Sequence, residues 1–98
     1  MEEATYPLDW VKQLFQQNRF IVTAAAQNGA LELGLDEEDI SDCIVSQLAE
    51  THFYKTMPAE KNPGLMQDVY RITYESRRIY LKLQVVNDWA TVISFKEE

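Results

Sequence analysis

The chain predicts an α/β domain of the α+β kind, with N-terminal helices packed on a mostly antiparallel C-terminal sheet. Three observations carry this. Apolar residues recur at helical spacing before residue 50 and alternate with polar residues after residue 65. Between the two regimes lies "PAEKNPG" (58–64), whose two prolines and glycine require a loop.

In the first helix Trp10, Val11, Leu14 and Phe15 form one apolar stripe that ends near Asn18, with Asp9 placed to cap it. "RFIV" (19–22) is a short β-prone run. Thr23 opens an alanine-rich helix, "AAAQNGALEL", that stops at Gly34, since glycine takes the left-handed cap conformation without a Cβ penalty. Asp36 caps a third helix, whose acidic first turn suits the helix dipole. Its apolar positions Ile40, Cys43, Ile44 and Leu48 keep helical spacing.

Three β-prone runs follow the loop: "LMQDVYRITY" (65–74), "RIYLKLQVV" (78–86) and "WATVISFK" (89–96). Asn87-Asp88 has the length and composition of a tight hairpin turn between the last two. In the middle run Ile79, Leu81, Leu83 and Val85 point one way while Tyr80, Lys82 and Gln84 point the other. In the last run Thr91, Ile93 and Phe95 alternate with Val92, Ser94 and Lys96. With no internal repeat, low-complexity tract or linker, one domain is expected over residues 1–98, its helical half at 8–50 and its sheet half at 64–96.

Composition sets the class. At 98 residues, 46% hydrophobic and 26% charged, the chain can bury one modest core without a metal or disulfide. No apolar run approaches the roughly 20 residues of a membrane span. "MEEATYPLDW" lacks a basic region followed by an apolar one, so it does not read as a secretion signal. The single Cys43 excludes an internal disulfide, and a cytoplasmic location is expected. The net charge of −7 argues at first against nucleic acid, since phosphate binding needs basic surface, but the charge is unevenly spread. Residues 1–50 set ten acidic side chains against Lys12 and Arg19, whereas residues 51–98 set six against seven basic ones. The second half can therefore present a local basic surface.

Familiar catalytic signals are mostly missing. There is no glycine-rich phosphate loop and no cysteine pair. "DEEDISD" (36–42) lacks the spacing and glycine of a calcium loop and reads as a helix N-terminus, and no metal ligands or cofactor are expected. Cys43 reads as inert core, and His52, with no motif around it, reads as structural or exposed and not catalytic. "HFYKTM" (52–57) and "MQDVYR" (66–71) flank the loop and carry polar groups that core packing does not explain. Lys55, Gln67, Arg71, Tyr80, Lys82 and Lys96 then belong either to an ordinary solvated sheet face or to a site that cleaves phosphodiesters without metal. RNA brings its own nucleophile, the 2′-hydroxyl. The enzyme supplies a base, an acid and donors for the charged phosphate, and lysine, tyrosine and glutamine can fill those roles.

At these residues the chain resembles the motility quorum-sensing regulator (MqsR) family, the toxins of bacterial type II toxin–antitoxin pairs. "LELGLD", "HFYKTM", "MQDVYR", "IYLKLQVV" and "ISFKE" carry the resemblance in order from about residue 30 to residue 98, with residues 1–29 matching more loosely. The resemblance implies a RelE-like fold and a metal-independent mRNA endoribonuclease (an mRNA interferase) that prefers GC-containing sites. It also implies an MqsA-like cognate antitoxin with a zinc-binding N-terminal domain and a helix-turn-helix C-terminal domain, and contact with operator DNA only through that complex. The family's proposed active-site residues fall on Lys55, Gln67, Tyr80 and Lys96, while Tyr54, Met57, Arg71 and Lys82 beside them are secondary candidates for RNA contact. The acidity of this chain departs from the basic character of other members and favours a competing reading, an interaction protein that binds an antitoxin without cleaving RNA. The intact set of four polar residues opposes that reading. A DNA-binding regulator acting alone finds no support, because no helix carries a basic recognition face.

Overall fold

A computed structural model describes residues 3–98; the first two residues of the expected 1–98 domain and of "MEEATYPLDW" lie outside the described residues. Three helices, α1 (Leu8–Gln16), α2 (Ala24–Glu32) and α3 (Glu37–Asp42), accompany a five-stranded sheet. Its strands are β1 (Phe20–Val22), β2 (Phe53–Pro58), β3 (Met66–Tyr74), β4 (Arg77–Val86) and β5 (Trp89–Glu97), in spatial order β1-β5-β4-β3-β2. The three long pairings among β2 to β5 are antiparallel and β1 alone runs parallel to β5, so the α+β expectation holds.

The helix ends follow backbone chemistry. Asp9 does not cap α1: the cap position is Pro7, which offers no side-chain hydrogen bond, and Asp9 lies within the first turn, where its charge still meets the positive end of the dipole. Asn18, at φ 60°, takes the left-handed position after the helix, with Arg19 N–H donating to the Leu14 carbonyl. Thr23 caps α2 by accepting from Ala26 N–H, and Gly34 at φ 74° closes it while Leu35 N–H reaches back to the Ala30 carbonyl. Asp36 and Asp39 form a reciprocal capping box at α3. A π-helical turn over Cys43–Gln47 prolongs α3 and leaves Ile40, Cys43, Ile44 and Leu48 all buried, as their spacing requires.

Sheet register comes from the turns. Glu75-Ser76 and Asn87-Asp88 both have two consecutive positive φ values, the conformation of the two-residue turn whose twist matches flanking strands. Ile79, Leu81, Leu83 and Val85 of β4 face the core together with Ile72 and Tyr74 of β3 and Phe95 of β5, beneath Val11, Leu14 and Phe15 of α1. The alternation expected for the last strand breaks at one place. Lys82 pairs with Ser94 but Leu83 pairs with Val92, so Ile93 is the extra residue of a β-bulge. Ala90 and Val92 face inward before it and Phe95 after it.

Two long-range contacts hold the periphery. Asp68, 1% exposed, accepts from the backbone N–H of Thr5 at 3.0 Å and of Tyr6 at 2.9 Å, clamping the N-terminal segment to β3. Hydrogen bonds to a charged group contribute about 1.5–3 kcal/mol each. At the other edge, β1 covers only residues 90–92 of β5. Beyond it α2 shields the strand, with Gly29 so close that a Cβ would fall 2.1 Å from the Phe95 carbonyl oxygen.

Glycine to alanine inside a helix ordinarily stabilises by about 1 kcal/mol. Gly29→Ala should instead destabilise the protein, by about 1–3 kcal/mol as other overpacking changes do, read as a lowered urea midpoint. Alkali offers a second check. Burial, with the charges of Asp68 and Glu50, pushes the Tyr70 phenol up to about 12, and burial with the hydrogen bond to Asp42 raises Tyr74. Both keep their protons when folded and lose them near 10 when unfolded, so the stability they provide is complete below pH 10 and falls as pH rises through about 12. Phenolate absorbance should therefore rise together with loss of the circular dichroism signal in that window; full ionisation of Tyr70 and Tyr74 in a folded chain at pH 10 would contradict their burial.

Candidate functional site: the open face of the sheet

The sheet face opposite the helices gathers every polar residue singled out from the sequence. Cross-strand pairing arranges them in rows. Lys55 pairs with Val69, Val69 with Lys82 and Lys82 with Ser94, forming one row over four strands. Arg71, Tyr80 and Lys96 form the next row. On the other side, Met57 pairs with Gln67, Gln67 Nε2 donates to Gln84 Oε1 at 3.0 Å, and Gln84 pairs with Thr91. Rows lie about 7 Å apart and strands about 4.8 Å apart, so the three rows occupy one small patch. Val69 is fully buried within it, although it lies outside the main core, and gives the cations an apolar bed.

Tyr80 is the centre. The Lys96 ammonium lies 5.3 Å from its ring centroid and the Lys82 ammonium 5.8 Å, so two positive charges flank one phenol. The β5 bulge makes this possible: without the extra residue at Ile93, a strand with Ala90 and Val92 inward would also turn Lys96 inward. A second group forms around Tyr54, the extra residue of another irregularity between Phe53 and Lys55. Arg71 stacks at 4.2 Å over the Tyr54 ring and the Lys55 ammonium lies 5.5 Å from it. Lys55 and Gln67 thus share the face with Tyr80 and Lys96 without being in the same immediate cluster, whereas Lys82 touches the central tyrosine.

Three features escaped the sequence. Glu98 pairs with both Arg71 and Arg78, the latter at 3.3 Å, and so withdraws two cations from the face. Gln84 is bound to Gln67, and Ile93 is turned outward by the bulge. Only alternation could have placed Gln84 beside Gln67; nothing local marks a bulge or a cross-strand ion pair. The residues read as structural remain so. His52 Nδ1 accepts from Ala49 N–H at 3.0 Å, and Cys43 is fully buried, its thiol pushed up to about 12 by burial and by Asp42. Asp36 and Asp39 are occupied in capping, and among the described residues no three His, Cys, Asp or Glu side chains are grouped to hold a metal.

A face with donors and ammonium groups around a phenol, over an otherwise acidic protein, can hold an anion and move a proton beside it. Comparison with known proteins points the same way. The family model described as "Motility quorum-sensing regulator, toxin of MqsA" matches residues 3–97. The mRNA interferase toxin MqsR of Escherichia coli (strain K12) is 36% identical over 91 residues, which cover 93% of this chain and 91% of that protein.

Proposed function

Because the chain belongs to the motility quorum-sensing regulator toxin family, we propose that it is the toxin of a bacterial toxin–antitoxin pair and an mRNA endoribonuclease, with its reaction on the open face of the sheet. The observation that carries the siting is the cluster of Tyr80 between Lys82 and Lys96. The 2′-hydroxyl of RNA attacks the adjacent phosphorus, the bond to the 5′-oxygen breaks, and a 2′,3′-cyclic phosphate and a 5′-hydroxyl result. One group removes the 2′ proton and another returns a proton to the 5′-oxygen, so the step balances with no further reactant. Tyr80 serves in proton transfer, Lys55 and Lys96 stabilise the pentavalent phosphate, and Gln67 orients the scissile region. Tyr54, Met57, Arg71 and Lys82 contact the flanking RNA.

Residues 1–98 act as one domain in this reading, working in the cytoplasm where mRNA and antitoxin are met. The cognate antitoxin is MqsA-like, with a zinc-binding N-terminal and a helix-turn-helix C-terminal domain, and operator DNA is reached only through that complex. Cut sites contain GC, and cleavage proceeds in EDTA.

Tyr80→Phe and Lys96→Ala should each reduce cleavage of a mixed mRNA in EDTA by about 100-fold or more, with thermal stability kept because both side chains lie off the core. A folded wild-type protein that binds its antitoxin but leaves RNA intact would overturn the enzymatic reading. Glu98→Gln tests the electrostatics: releasing Arg71 and Arg78 should tighten RNA binding and steepen the dependence of log affinity on log salt by about one to two phosphate contacts.

A further inference from the structure

Beside the central cluster, the β2–β3 loop borders an open cavity of about 480 Å³ on the sheet. Met57, Leu65 and Ile93 supply its apolar walls, Gln67 and Gln84 its polar edge, and Lys82 its border with Tyr80. The bulge that turns Lys96 toward Tyr80 also turns Ile93 into this cavity, so both are products of one backbone irregularity.

We propose that this cavity receives a nucleobase of the RNA next to the scissile phosphate, and that Gln84, bonded to Gln67, reads the edge of that base. The inference rests on the ribonuclease reading above. The chemistry of two bonded primary amides supports it. One hydrogen bond between them leaves a carbonyl on one and an NH2 on the other, whichever way the amides are oriented. An acceptor and a donor thus remain free on the pair, the two kinds of group with which a base edge forms hydrogen bonds. The apolar side chains of Met57, Leu65 and Ile93 offer a flat ring a surface to pack on. Continuity with the reacting face fixes the occupant, because Lys82 borders both the cavity and the Tyr80 ring, and a phosphate held there leaves its own nucleoside at the cavity mouth. Charge argues for it too. A chain of net charge −7 gains little from phosphates, and base contacts supply affinity that salt does not screen.

The probes are short 2′-O-methyl oligoribonucleotides, which cannot be cleaved, each carrying one of the four bases in an otherwise abasic strand. Wild-type protein should bind one base about tenfold or more tighter than the weakest. The side-chain NH2 signals of Gln67 and Gln84 should move in its NMR titration. Gln84→Leu, which keeps the volume and removes the amide, should bring all four affinities within about twofold while leaving the fully abasic strand unaffected. Equal affinities in the wild type, or selectivity that survives Gln84→Leu in a folded variant, would overturn the pocket. Cleavage of the matching unmodified RNAs in EDTA separates the two readings. Base-selective binding without cleavage keeps the pocket and removes the ribonuclease; cleavage with selectivity unchanged in Gln84→Leu does the reverse.

Discussion

The register of β4 between its two neighbours is the constraint from which the remaining structure follows. A strand's side chains alternate with period two, so a slip of one residue would send Ile79, Leu81, Leu83 and Val85 into water and Tyr80, Lys82 and Gln84 into the core. The two-residue turns at Glu75-Ser76 and Asn87-Asp88 pin both ends of the strand. Core and open face are thus opposite sides of one decision. Any backbone change that moves one moves the other.

The bulge at Ile93 is the exception that gives the face its chemistry. Ala90 and Val92 must pack inward near β1, and Phe95 must pack inward near the helices. Uninterrupted alternation cannot satisfy both. One extra residue does, and it delivers Lys96 to Tyr80 and exposes Ile93 to the neighbouring cavity. The far edge of β5 then needs cover, which α2 provides through the close approach of Gly29. The open face and the protection of the edge are consequently coupled through the same stretch of strand.

Charge is segregated with equal economy. Asp36 and Asp39 bond backbone N–H groups at a helix start, and buried Asp68 holds Thr5 and Tyr6 in the clamp. Lys55, Lys82 and Lys96 occupy the sheet face, and Glu98 tempers it by pairing with Arg71 and Arg78. A net acidic molecule therefore keeps a locally cationic surface, small enough that contacts other than phosphate must carry much of any binding to RNA.

Local chemistry made much of this legible. Helix starts at Thr23 and Asp36, the stop at Gly34, the turn at Asn87-Asp88 and the alternation of β4 are each decided by residues within a few positions, and each stands as read. The cap assigned to Asp9 failed because Pro7, with φ already fixed near the helical value, starts the helix earlier. What the tertiary structure alone decided are the matters that depend on partners distant in the chain: β1 joining β5, Ile93 as a bulge, Glu98 reaching Arg71, Gln67 meeting Gln84, and Asp68 buried against Thr5 and Tyr6. Sequence determined which side chains could do chemistry, because residue type and period are local properties. Their distances were settled by register and packing, because these arise only when separated segments compete for one core.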